Sequence, residues 1–166
     1  MENDFKTSLL SICELFEKHS IQYMIIGGTA VAYYGYYRQS TNMDGSISEK
    51  PDIDIWYNPS YENYFSIINA LEDLGKDVTK YRSEKNPNPK KSYFKLEFAD
   101  FTLDLLPEIR SKTSYSIADL RKKTVQSGGV NMYFISLNDL IDDKRSNGRK
   151  KDIEDINELK NLSNND

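Results

Sequence analysis

Thiol and imidazole are almost missing from this chain of 166 residues, which has one cysteine, Cys13, and one histidine, His19. A lone cysteine excludes an internal disulfide and a thiolate-rich zinc site. It lies in Leu9-Leu10-Ser11-Ile12-Cys13-Glu14-Leu15-Phe16, where it reads as a buried helical thiol rather than a nucleophile. His19 stands near the end of the same predicted helix, as a C-terminal cation there, so no histidine remains for a catalytic dyad elsewhere. No apolar run approaches the roughly 20 residues that span a bilayer. The start, Met1-Glu2-Asn3-Asp4, lacks the basic flank and apolar core of a signal peptide, which makes a cytoplasmic location the expectation. A net charge of -4 argues against the broad basic footprint of a duplex-binding protein. Local basic clusters do stand at Arg121-Lys122-Lys123 and over residues 144–151, and the first of them reads as a solvated helix face. With cysteine and histidine set aside, any chemistry falls to carboxylates.

The carboxylates stand in unusual company. Asp52-Ile53-Asp54-Ile55-Trp56 and Thr102-Leu103-Asp104-Leu105-Leu106 are strand-like apolar runs in which a charge is costly unless paired or metal-bound. Two residues apart on a strand, Asp52 and Asp54 point to one face while Ile53 and Ile55 point to the other. Asp104 repeats that placement between two leucines. Three acidic groups converging on one side of a sheet would repel one another without a cation; Mg²⁺ or Mn²⁺ would make them a two-metal phosphoryl or nucleotidyl transfer centre.

Organisation along the chain supports a single α+β unit over residues 1–166, with a core over about 1–135, C-terminal helices over about 136–162 and a frayed tail at 163–166. Helical spacing predicts a helix over residues 5–18, and residues 23–26 form a short apolar strand ending at Gly27-Gly28. A helix of small residues over 29–34 leads into a long polar loop over 35–51. After the Asp52 strand, Ser60 is a candidate N-cap for a helix whose inner stripe is Tyr61, Tyr64, Phe65, Ile68, Leu71 and Leu74, with Gly75 as terminator. Residues 77–81 are expected as a strand, and 92–98 with 101–106 as an antiparallel hairpin. A polar, partly helical stretch to residue 126 follows, then a last strand over 130–135. Ser136 is expected to cap a helix over 137–145, and residues 151–162 form the final one. There is no internal repeat and no low-complexity linker.

Gly27-Gly28 fits neither G-x-x-x-x-G-K-[ST] nor G-x-G-x-x-G, so the P-loop and the dinucleotide-binding fingerprint both fail on residues. On its own it is a tight turn. With Thr29 it supplies backbone that a polyanion can approach, N–H groups at a helix start, and a hydroxyl. These features suit a triphosphate.

Ile26-Gly27-Gly28-Thr29-Ala30-Val31, Asp52-Ile53-Asp54 and Leu103-Asp104-Leu105 together resemble the signature elements of the DNA polymerase β-like nucleotidyltransferase superfamily. Within it the chain resembles small stand-alone bacterial enzymes related to the nucleotidyltransferase component of abortive-infection toxin–antitoxin systems. The likeness extends through Leu140-Ile141-Asp142-Asp143-Lys144 and Arg149-Lys150-Lys151-Asp152-Ile153-Glu154-Asp155, and covers residues 23–162. It implies a mixed, mostly antiparallel sheet flanked by helices with a short helical C-terminal part. It also implies transfer of a nucleoside monophosphate from an NTP to an acceptor hydroxyl or phosphate of RNA, protein or a small molecule, with pyrophosphate leaving. Asp52, Asp54 and Asp104 would be catalytic and would hold two Mg²⁺ or Mn²⁺ ions, while Gly27, Gly28 and Thr29 would bind the nucleotide, Gly28 and Thr29 by holding its β- and γ-phosphates. The alternative is a non-catalytic module of the same fold serving as a toxin–antitoxin partner.

One departure from the pattern concerns Arg38 and Thr41, which relatives often carry directly ahead of the carboxylates. Here residues 42–51 separate them from Asp52, and Arg38 reaches a phosphate only if the loop folds back. Asp44-Gly45 inside that insertion reads as a turn rather than a metal ligand. Lys144 is the candidate basic contact to the triphosphate or base; its rival role is a surface charge paired with Asp142 or Asp143. Arg149 and Asp152 read as an inter-helix brace. Tyr33, Tyr34, Tyr36 and Tyr37 crowd the approach to the glycines, where one could stack on a base and most would pack under the loop.

Overall fold

A computed structural model describes residues 2–36, 44, 46–48 and 50–164. Arg38, Thr41 and Tyr37 lie outside the described residues. Along the chain run α1 (Glu2–Lys18), β1 (Tyr23–Ile26), α2 (Gly27–Tyr33), β2 (Asp52–Tyr57), α3 (Tyr61–Asp73), α4 (Thr79–Arg82), β3 (Phe94–Glu97) and β4 (Thr102–Leu106). Then follow α5 (Tyr115–Asp119), β5 (Lys123–Ser127), β6 (Val130–Phe134), α6 (Leu137–Asn147) and α7 (Lys150–Ser163).

The strands form one six-stranded mixed sheet in the order β3-β4-β2-β1-β6-β5. The pairs β1–β2, β3–β4 and β5–β6 are antiparallel, while β1–β6 and β2–β4 are parallel. Period-2 alternation gives the sheet two distinct faces. On one lie Ile53, Ile55, Tyr57, Leu103, Leu105 and Phe94, all buried. The ring of Tyr64 on α3 packs on Phe94, and that of Phe16 on α1 meets Tyr23 edge-on at 5.2 Å between centroids. Helices α1 and α3 therefore cover this face, side by side. Asp52, Asp54 and Trp56 take the opposite face, where Trp56 meets Tyr115 of α5 edge-on and donates from Nε1 to the Pro107 carbonyl at 3.2 Å.

Local chemistry accounts for the helix ends. Ser60 accepts the N–H of Asn63 at the start of α3, and Ser136 accepts that of Asp139 at the start of α6. Gly75, at φ +78°, carries the chain out of α3 in a conformation that residues with a Cβ rarely adopt.

Three expectations need correction. Residues 77–81 are not a strand: Asp77 accepts both the N–H (2.9 Å) and the hydroxyl (2.6 Å) of Thr79, which starts the short helix α4. The stripe of α3 is rotated from the expected one. Tyr61 and Phe65 are 60% and 45% exposed, while Asn63 and Ile67 are buried. Asn63 belongs inside because its side chain accepts the Gln22 N–H and donates to the carbonyls of Gln22 and Asn58. The strand at residues 130–135 has an unforeseen partner in β5, a polar outer strand joined to β6 through Gly128-Gly129, both at positive φ.

Candidate active site

The first positioning element is the β1–α2 junction. Gly27 sits at φ +64°, and a Cβ built there would run into Asp54, whose Cβ and Cγ lie 3.0 Å away. A side chain at position 28, by contrast, would meet nothing within 4 Å, so the backbone there borders open space. Thr29 follows with its hydroxyl donating weakly to the Asp52 carbonyl at 3.4 Å.

The second element is the parallel pairing of β2 with β4. Its register sets Asp52 against Thr102, Ile53 against Leu103 and Asp54 against Asp104. Register partners share a face, so Asp54 and Asp104 point the same way from neighbouring strands about 5 Å apart. The Thr102 hydroxyl donates to the Asp52 carboxylate. Sequence reasoning missed that partner, although Thr102 stands two residues before Asp104 and so shares its face.

Electrostatics marks the cluster. Burial, with the charges of Asp104 and Asp52 alongside, pushes the Asp54 carboxyl up to about 6, against the pull of Lys144 and Lys151. Asp104 is also raised, chiefly by burial and further by Asp52 and Glu97, while Lys95 pulls the other way. Its Oδ1 is buried with no hydrogen-bond partner among the described residues. A buried carboxylate oxygen lacking a donor is costly as it stands, and a hard cation would satisfy it. Among the described residues no three histidine, cysteine or carboxylate groups are gathered as a ready metal cage. The fit to Mg²⁺ or Mn²⁺ rests instead on an all-oxygen donor set, the orphaned Asp104 oxygen, and the shared face of Asp54 and Asp104.

The C-terminal helices contribute a buried charge network. Lys144 on α6 is 3% exposed and reaches Asp155 at 3.0 Å and Asp152 at 3.4 Å on α7. It pairs with neither Asp142 nor Asp143. Asp142 takes Arg145 at 3.0 Å, and Asp143 accepts the Arg110 N–H at 2.7 Å. Burial opposes ionisation of Asp152, yet the Arg149 side chain and Lys144 hold its carboxyl below the usual range. Asp152 thus joins Arg149 at the start of α7 to Lys144 on α6, bracing the two helices. Asp44 closes a turn on Ser46, accepting its N–H at 2.9 Å and its hydroxyl at 2.6 Å. Of the tyrosines near the glycines, Tyr34 donates to the Ile135 carbonyl at 2.7 Å, and Tyr33 stacks on Phe134.

No protein-family profile and no curated protein matches the chain. Solved structures do. The lincosamide antibiotic adenylyltransferase LnuA, in its lincomycin-bound crystal structure, superposes with a TM-score of 0.60 at 19% identity, over 94% of this chain and 96% of its own. The antibiotic-resistance factor ANT(2'')-Ia superposes with a TM-score of 0.56 at 18% identity, over 96% of this chain and 84% of its own. An antigenic nucleotidyltransferase-like protein from Paracoccidioides brasiliensis gives 0.52 at 13% identity, over 95% and 75%. The chain has the fold of these nucleotidyltransferases: a six-stranded mixed sheet flanked by helices.

Proposed function

We propose that this chain is a metal-dependent nucleotidyltransferase, moving a nucleoside monophosphate from an NTP to an acceptor hydroxyl or phosphate with release of pyrophosphate. The observation that carries the reading is the one-to-one register of β2 and β4, with Asp54 opposite Asp104 on one face. That face lies beside the open backbone of Gly28. Asp52, Asp54 and Asp104 are the residues that would hold two Mg²⁺ or Mn²⁺ ions. Bound there, the ions would neutralise charge on the triphosphate and ease ionisation of the acceptor. The protein's own share is placement. Gly27 leaves room for the Asp54 carboxylate, Gly28 and Thr29 offer N–H groups and a hydroxyl to the β- and γ-phosphates, and Lys144 with Lys151 adds positive potential at Asp54. Phosphoryl-type transfer needs such positioning and charge neutralisation more than a protein nucleophile. The lack of a second histidine or cysteine is compatible with that.

The test is incubation with labelled ATP, CTP, GTP or UTP, Mn²⁺ and a cell lysate, followed by location of the label. Label in RNA, protein or a small molecule names the acceptor, and label in a co-purifying protein would mark a partner of the toxin–antitoxin kind. Absence of transfer with every NTP, and absence of any NTP-dependent rise in melting temperature, would overturn the reading in favour of a non-catalytic binding module.

A further inference from the structure

The sheet register extends one strand beyond the carboxylates. On β3, Lys95 is the antiparallel partner of Asp104, so the row Asp54–Asp104–Lys95 crosses three strands on one face. Lys95 is exposed, and among the described residues it has no carboxylate within ion-pair distance. Its same-face neighbour Glu97 is already engaged: Lys50 reaches Glu97 Oε2 at 3.0 Å and the Phe98 carbonyl at 2.9 Å. The field of Lys95 is felt at Asp104, whose carboxyl it draws down against burial. An uncommitted ammonium therefore stands beside the third carboxylate, on the flank away from Gly27 and the triphosphate end.

From this placement we infer that Lys95 is an anion subsite for the acceptor, selecting molecules that carry a phosphate close to the hydroxyl being modified. The inference rests on the nucleotidyl-transfer reading above. Once cations neutralise the three aspartates, the remaining charge on the acceptor flank is positive. A polycationic acceptor would be repelled there, whereas a phosphate oxygen would gain a charge-assisted hydrogen bond. Lysine on an outer strand has another common use, guarding the sheet edge against pairing with a second copy. That role predicts that losing the charge changes solubility and leaves acceptor discrimination untouched.

The deciding measurement is binding, independent of turnover. Ribose 5-phosphate and ribose are titrated separately into the full chain with Mg²⁺ and an unreactive NTP analogue, following the amide resonances of residues 94–97. Ribose 5-phosphate should bind at least about tenfold more tightly than ribose, the scale of one hydrogen bond to a charged group. Lys95→Gln should erase that difference and Lys95→Arg should keep most of it. A short oligoribonucleotide with a free 3′ hydroxyl is the second anionic probe. If it binds more tightly than ribose 5-phosphate, the phosphate belongs to a nucleic-acid end; the reverse order assigns it to a small phosphorylated acceptor. Equal affinity for ribose and its phosphate, or discrimination that survives in Lys95→Gln, overturns the inference. Label transfer then separates the two levels. Lys95-dependent phosphate binding with no transfer and no stabilisation from any NTP leaves an anion site but overturns its assignment to an acceptor, together with the nucleotidyl-transfer reading. Transfer at equal rates to phosphorylated and neutral acceptors keeps the reading and sinks the subsite.

Discussion

The Asp54 carboxylate fills the space that a side chain at position 27 would need, so Gly27 and Asp54 are complementary parts of one turn. The positive φ of Gly27 adds a backbone reason for the same residue.

Substitution at the two glycines should therefore split. Gly27→Ala has to displace Asp54 and strain the backbone, and should lose about 1–3 kcal/mol of stability together with NTP-dependent stabilisation. Gly28→Ala meets no atom and should fold as the parent does. Urea denaturation of both variants, with and without Mg²⁺-NTP, checks this; equal stabilities would show that the turn relaxes freely.

The pH dependence has a definite sign. The folded-state carboxyl of Asp54 lies near 6, above the value of about 3.9 expected in the unfolded chain. The folded state thus holds this proton more tightly. The resulting stability is fully present below pH 4 and is lost as pH rises through 6 and Asp54 ionises beside Asp104 and Asp52. The difference amounts to about 2–3 kcal/mol. Without divalent cations, Asp54→Asn should match the parent at pH 4 and exceed it at pH 7 by that order. It should also lose the stabilisation that Mn²⁺ and NTP would give by mass action. Denaturation at both pH values decides, and a less stable Asp54→Asn at pH 7 would mean that the carboxylate is structurally paired.

Thr29→Ala removes one hydroxyl, which should weaken NTP use about tenfold to a hundred-and-fifty-fold and leave measurable transfer. On the proposed reading, Asp104→Ala should leave nucleotide affinity largely intact, because Asp52 and Asp54 would still hold the nucleotide's cation, while transfer falls below detection. Side-by-side affinity and label-transfer measurements separate them. Normal transfer by Asp104→Ala would make that residue a structural carboxylate.

Lys144 has two carboxylates to satisfy before any nucleotide. Lys144→Met would leave Asp152 and Asp155 buried without their ammonium, and should cost about 3–5 kcal/mol of stability. A thermal melt that is unchanged, with NTP affinity reduced, would instead make Lys144 a nucleotide contact first.

Much of this arrangement is legible from local pattern. The alternation Asp-Ile-Asp-Ile puts Asp52 and Asp54 on one face by strand geometry alone, and the caps Ser60 and Ser136 follow from residue type at a helix start. What escaped depends on tertiary partners. Asn63 reads as a surface residue until Gln22 and Asn58 offer it their backbone. Strand β5 is polar and mostly exposed, so its alternation carries no apolar signal, and only pairing with β6 reveals it. Lys144 could be placed on a helix, but its burial depends on α7 folding back over α6. Lys95 joins the row of aspartates only once the hairpin register is known.

The parallel pairing of β2 with β4 also has a kinetic side. Asp54 and Asp104 are 50 residues apart in sequence and become neighbours only when β4 docks beside β2. Long-range parallel pairing is intrinsically slow, because loop-closure entropy is spent before any contact rewards it. Here the docking step must also bring two carboxylates together at neutral pH. Charge repulsion therefore belongs to the folding barrier of this chain as well as to its native state, and a divalent cation that joins the two strands would lower that barrier while also favouring the folded product. Refolding from urea should speed up with millimolar Mg²⁺, and Asp104→Asn should refold faster than the parent in its absence while losing most of the response to the ion.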